Sequence, residues 1–309
     1  MTDKGHVSVL QSAAVEALQV APNGKYVDAT YGRGGHSKKI IELLDNSGRL
    51  LAVDRDPEAV ADAERRFEED QRFNIVGANF SDLDRVVAEQ GWTGAVDGLL
   101  LDLGVSSPQL DVADRGFGFS RDGLLDMRMD PSSGVSAAKW LADVREEDLV
   151  YVLKTFGEER YARRISAAIV AARRAAPITT TAQLADIVKA AHPRWERHHH
   201  PATRTFQAIR IEVNGELSAI EKVLSKASSL LRVGGRLVVI SFHSLEDRLV
   251  KRAIRPPSHP ADIPRHLPLP ELPAHPWRSI GKVVKADEEE VRLNPRSRSA
   301  VMRVAERVL

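Results

Sequence analysis

Cysteine is absent from the 309 residues, which excludes disulfides and thiolate metal sites and fits a reducing cytoplasm. Long apolar runs are missing too. No stretch approaches the roughly 18 residues that a membrane-spanning helix needs, and the first ten residues are polar, without the apolar core of an export signal. A cytoplasmic location is the expectation. Nor does one sign of charge dominate: 44 basic residues face 43 acidic ones, for a net +1. The distribution is less even. Between Arg160 and Arg210 ten Lys and Arg face two acids, Asp186 and Glu196, so this window carries +8 and the remainder −7. An acidic body with a basic segment suits a phosphate backbone. The 43% hydrophobic and 28% charged fractions are those of an ordinary globular chain of one or two domains.

The first hundred residues alternate strand-like and helix-like stretches. Strands are predicted at Lys25–Thr30, Arg49–Asp54, Phe73–Val76 and Val96–Leu103, with helices near 36–44, 57–67 and 82–90 between them. This alternation predicts an α/β fold, an open parallel sheet covered on both faces. The rhythm stops after about residue 110. Up to about residue 205 only helical stretches appear, at 137–141, 146–155, 158–175 and 181–190. It resumes with a long helix over 206–231, ended by Gly234–Gly235, a fifth strand at Arg236–Phe242, a proline-rich stretch over 255–276, and two strands near Lys282–Lys285 and Ala300–Ala305. The expected organisation is a discontinuous catalytic domain, residues 1–109 and 206–309, interrupted by an all-helical insertion over 110–205.

Three short segments carry chemistry. Asp28-Ala-Thr-Tyr-Gly-Arg-Gly-Gly-His36 follows the first strand, where a glycine-rich turn lets a ligand approach the backbone at a helix start. A nicotinamide fingerprint would need glycine where Ser37 stands. The D-x-T-x-G-x-G spacing, with Thr30 in place of the usual first glycine, resembles the first motif of class I AdoMet-dependent methyltransferases. Asp54 ends the second strand, 20 residues after Gly34, where a carboxylate can accept both ribose hydroxyls of an adenosine cofactor. Phe80, beyond the third strand, can stack on an adenine. Asp102-Leu-Gly-Val-Ser-Ser-Pro-Gln109 leaves the carboxyl end of the fourth strand, the edge at which open α/β sheets bind ligands. The lone pair of an aryl amine is delocalised into its ring, so an enzyme must hold the N–H groups and align the nitrogen. Asp102 and the Ser106-Ser107-Pro108 turn can do so by preorganisation. Ser241-Phe-His243-Ser244-Leu-Glu246-Asp247-Arg248 follows the fifth strand, and His243 either steers or deprotonates the amine or orients a helix capped by Ser244. The His243–Ser244 pair also raises a hydrolase reading, which lacks its G-x-S-x-G elbow. His198, His199 and His200 are adjacent and converge poorly on one ion, so a solvated basic loop is the better reading and no metal is expected.

In order along the chain, GRGGHS, DLGVSSPQLD, GFGF, LDMRMD, FGEER, HPATRTFQAIRIEVN, SFHSLEDR and NPRSRSA resemble the bacterial 16S rRNA (cytosine-N4)-methyltransferases, the RsmH or MraW family. The resemblance runs from His6 to the C-terminal region. It implies a Rossmann-like class I AdoMet-dependent methyltransferase sheet with an inserted helical domain, S-adenosyl-L-methionine as the methyl donor, and 16S rRNA, within the small ribosomal subunit, as partner. The implied target is the N4 amine of a decoding-centre cytosine, numbered 1402 in the family's enzyme name. It implies donor contacts at Gly34, Gly35, His36, Asp54, Phe80, Asp102 and Gln109. Departures fall in the proline-rich stretch 256–276 and around Trp195–His199. Such an enzyme acts on an unstacked base, for which Phe117, Phe119, Trp195 and Phe206 are stacking candidates. Other acceptors, a protein or a small metabolite, and a non-catalytic assembly role stay open at this stage, as does a homodimer.

Overall fold

The computed structural model describes residues 8–194, 200–257 and 274–309. Trp195, His198, His199, most of the proline-rich stretch and the first seven residues lie outside them. In chain order the elements are α1 (Gln11–Leu18), β1 (Lys25–Asp28), α2 (Gly35–Leu43), β2 (Arg49–Asp54), α3 (Pro57–Arg66), β3 (Phe73–Gly77), α4 (Leu83–Glu89) and β4 (Val96–Asp102). Six helices follow: α5 (Ser107–Asp111), α6 (Ala137–Asp143), α7 (Glu146–Thr155), α8 (Ala162–Ala175), α9 (Thr181–Ala191) and α10 (Ala202–Asn214). The last elements are α11 (Glu216–Leu230), β5 (Leu231–Ser241), α12 (Ser244–Ile254), β6 (Trp277–Lys285), α13 (Glu288–Leu293) and β7 (Val301–Arg307). They divide into two compact units, Met1–Gly104 with Ser218–Leu309, and Val105–Leu217.

The first unit is one seven-stranded sheet in the order β3-β2-β1-β4-β5-β7-β6. The pairs from β3 through to β5 are parallel, and β7 runs antiparallel to both β5 and β6. This is a Rossmann-like, mostly parallel sheet with an antiparallel strand, β7, near one edge. Parallel neighbours need crossover helices, and helices on both faces leave the middle strands no polar side. The sequence complies: Leu99, Leu100 and Leu101 of β4 and Leu237 to Ile240 of β5 are all buried. The turns are written locally as well. Asp56 caps α3 by accepting the Glu58 N–H, with Pro57 in the first turn.

The second unit is helical and has its own core. Leu149 and Leu153 from α7, Ile165 and Ile169 from α8, Leu184 and Val188 from α9, and Phe206 and Ile209 from α10 are buried together. Thr180 and Gln183 form a reciprocal capping box at the start of α9.

Three expectations need correction. The single helix over 206–231 is two helices, because Gly215 takes a left-handed φ of 61° and closes α10. With Phe206 and Ile209 in the helical core, α10 belongs to the second unit and not to the sheet. Gly234 and Gly235 do not end a helix; they lie inside β5, which begins at Leu231. The helix expected from Glu158 starts only at Ala162, since Glu158 has φ 47° and the Glu159 carboxylate accepts the Tyr161 N–H.

Candidate active site at the carboxyl edge of the sheet

Strands β1, β2, β4 and β5 each end at this edge with a polar side chain within three residues. Asp28, at the end of β1, is fully buried. Its Oδ2 accepts from Ser37 Oγ at 2.7 Å and its Oδ1 from the Thr30 N–H at 3.2 Å. Burial, with Asp54 adding to it, pushes its carboxyl up to about 6. The turn that follows brings Gly32 and Gly34 into the left-handed region, at φ 58° and 68°. A Cβ on Gly34 would lie 2.5 Å from the Tyr31 hydroxyl oxygen, so only glycine fits. Gly34→Ala is therefore expected to destabilise the fold by about 2 kcal/mol and to abolish tight ligand uptake in the turn. Gly91→Ala is the control, with the same φ of 68° and nothing within 4 Å. Denaturation midpoints should fall clearly further for Gly34→Ala; equal losses would refute the steric account.

Asp54, at the end of β2, accepts the Gly32 N–H on Oδ2 at 2.8 Å and the Asp56 N–H on Oδ1 at 2.9 Å. The carboxylate that suits a ribose thus also ties the glycine turn to the second strand. Burial raises its pKa above the ordinary carboxylate range. Phe80 stands in a short 3-10 turn just after β3, partly buried.

Asp102 closes β4. Thr30 explains its own departure from the usual glycine here, because its hydroxyl oxygen accepts the Asp102 N–H at 2.6 Å and joins the ends of β1 and β4. Asp102 Oδ1 is buried and has no hydrogen-bond partner among the described residues, and Oδ2 lies 3.7 Å from His36 Nδ1. Burial, then Asp28, then Glu246 raise its pKa well above the ordinary carboxylate value. His36 is buried, with Nε2 3.2 Å from the Val9 carbonyl oxygen. Burial lowers its pKa to about 4, so the ring is neutral near pH 7.

After β5, His243 and not Ser244 is the N-cap of α12. Glu246, fully buried, accepts the Phe242 N–H at 2.7 Å and the His243 N–H at 3.3 Å, and its Oε1 lies 3.2 Å from His243 Nε2. The sequence reading did not assign Glu246 a role. Its signal was the capping-box spacing, a Glu three residues after the residue that begins the turn. Gly34, Gly35, His36, Asp54, Asp102 and His243 are thus brought to one sheet edge. Ser106 and Gln109 belong to the second unit, where the Ser106 N–H donates to Gln109 Oε1 at 2.9 Å and closes the entry to α5. Of the stacking candidates, Phe117 and Phe206 are core residues. Phe119 is only partly buried, 4.6 Å from the His200 ring and 4.9 Å from that of Phe206.

Comparison with known proteins identifies the family. Residues 3–308 match the model of the MraW methylase family. A protein of Thioalkalivibrio sulfidiphilus named ribosomal RNA small subunit methyltransferase H is 53% identical over 98% of this chain and 97% of its own length. One of the same name from Chromohalobacter salexigens is 55% identical over 99% and 92%. An rRNA methylase structure from Streptococcus thermophilus aligns over the full length of both chains at 11% identity and a TM-score of 0.40.

Proposed function

The chain belongs to the MraW methylase family, and from that premise we propose that it moves a methyl group from S-adenosyl-L-methionine to the N4 amine of a decoding-centre cytosine in 16S rRNA. Methylation of small-subunit rRNA is the activity its relatives are named for; the amine and the nucleotide are our reading. The observation that carries it is Asp102 Oδ1, a buried acceptor at the strand edge without a partner among the described residues. Such an atom is costly unless a ligand supplies the missing donor.

The residues fit this donor. Asp54 would accept the ribose hydroxyls, the Gly34–Gly35–His36 turn would allow close backbone approach, Phe80 would stack on the adenine, and Asp102 would complete the contacts. When bound, the donor supplies a sulfonium-activated methyl group that leaves by in-line displacement. Asp102 would hold an N–H group of the acceptor and align its nitrogen. A methylated amine that has given up its lone pair is strongly acidic, so a weak acceptor suffices for the departing proton. His243 takes that role, oriented by Glu246. The helical unit recognises the RNA.

The raised carboxyls have a measurable consequence. As pH falls through about 6, Asp28 takes up a proton and the edge loses negative charge. The cationic donor should then bind more weakly, roughly fourfold between pH 7.5 and 5.5 for one carboxylate titrating near 6. The demethylated product, lacking the sulfonium charge, should change less. Calorimetry on both ligands checks this; equal pH dependence would contradict it. The function itself is tested by nucleoside mass spectrometry of small-subunit rRNA incubated with donor and protein. N4-methylated cytosine should appear only when the protein is present. Methyl transfer to protein and never to RNA would overturn the reading.

A further inference from the structure

In the second unit, α8 lies in a run of basic residues. From residue 160 to 185 the chain carries five arginines and no acid. Two of the five have internal duties: Arg173 donates to the Leu141 carbonyl oxygen, and the Arg160 guanidinium lies 5.9 Å from the centre of the Tyr161 ring. The other three, Arg163, Arg164 and Arg174, are exposed, and among the described residues none of them has an acidic partner. In the first unit, exposed cations are commonly paired, as in Arg85–Glu89 at 2.7 Å, Lys226–Asp84 at 2.8 Å and Arg232–Asp97 at 2.5 Å.

The helix geometry makes one face of these three. Ile165 and Ile169 point into the core, while Arg163, Arg164, Ala167, Ala171 and Arg174 are exposed on the opposite side, with the buried Val170 at the edge of that face. Ten residues separate Arg164 from Arg174, about 15 Å along the axis. The exposed positions between them are Ala167 and Ala171, whose methyl groups leave a low floor with a guanidinium fork at each end. Guanidinium forks match phosphate oxygens in a bidentate manner and are readily stripped of water.

We propose that the outer face of α8 is a track for the RNA phosphate backbone, gripped by Arg163 and Arg164 at one end and Arg174 at the other. This rests on the RNA reading and assigns the backbone contacts to one helix. Phosphate contacts position a nucleic acid without reading its sequence. The face therefore contributes affinity and register, and selection of the cytosine lies elsewhere.

The test is the affinity of the full chain for small-subunit rRNA, measured by fluorescence anisotropy across a range of KCl concentrations. Each phosphate contact contributes about 0.7 to 0.9 to the slope of log affinity against log salt. The triple variant R163Q/R164Q/R174Q should lose about 2 to 3 from that slope. It should bind about 10- to 100-fold more weakly in moderate salt, equally for unrelated RNA sequences, since each phosphate contact is sequence-independent. The lysine triple variant, which keeps the charge, should hold the wild-type slope. Donor affinity by calorimetry and helical content by circular dichroism should be unchanged in both, which excludes a folding defect in either unit. If the glutamine variant keeps the wild-type slope, the track is wrong while the RNA reading survives. If the wild-type chain shows no salt-dependent RNA affinity, both fall.

Discussion

Asp102→Asn is expected to lower kcat for methyl transfer by about 10²- to 10³-fold, while the donor dissociation constant rises less than tenfold. The reason lies in the charge Asp102 carries and when it carries it. Burial and two neighbouring acids, Asp28 and Glu246, oppose its ionisation in the free protein. Positive charge brought to the edge relieves that opposition, and positive charge grows on the attacking nitrogen as the methyl group moves. The carboxylate is thus most stabilised when the reaction is most demanding, which is the condition for a group that accelerates chemistry and not merely binding. Asparagine preserves the shape and one acceptor but not the charge. Single-turnover kinetics at saturating donor and RNA isolate the chemical step. A variant with wild-type kcat would remove Asp102 from the reaction.

Asp54→Asn should act on the other side of the same divide. Its carboxylate is read as the acceptor for two ribose hydroxyls, and hydrogen bonds to a charged group contribute about 1.5–3 kcal/mol each. The amide turns one acceptor into a donor. Its nitrogen then faces either the Gly32 N–H, now received at 2.8 Å, or the Asp56 N–H, at 2.9 Å, and that donor is left unmatched. The donor dissociation constant should rise about 100-fold, equivalent to roughly 2.7 kcal/mol, with kcat at saturating donor changed much less. Calorimetry and steady-state kinetics together resolve the split. An unchanged dissociation constant would show that the ribose lies elsewhere.

These two carboxylates were legible in the sequence because each sits where a strand ends, and that position follows from local pattern. The α/β alternation was legible for the same reason: period and punctuation are local. What was not legible depends on contacts between distant segments. Thr30 looked like a departure from a glycine motif; its purpose, receiving the Asp102 N–H, spans 72 residues. His36 is set by Val9, 27 residues earlier. Glu246 lay in plain view in SFHSLEDR, yet its influence on Asp102 depends on β5 pairing with β4, a neighbour relation fixed only by the whole sheet. The break at Gly215 was missed because buried positions continue from Ile211 into Ala219 and Ile220, and an apolar rhythm running through a glycine reads as one helix. The second unit shows the limit most plainly. Its helices were visible, but that α10 joins them follows from where Phe206 and Ile209 are buried, and periodicity alone does not choose between two cores.

The whole account depends on the methyl donor lodging among Gly34, Asp54 and Asp102, so the most direct measurement is titration calorimetry of the folded chain with S-adenosyl-L-methionine and its demethylated product. One-to-one binding is expected for both, abolished or strongly weakened in Asp54→Asn. Absence of heat with either ligand at millimolar concentration, from protein whose thermal unfolding is cooperative, would contradict it.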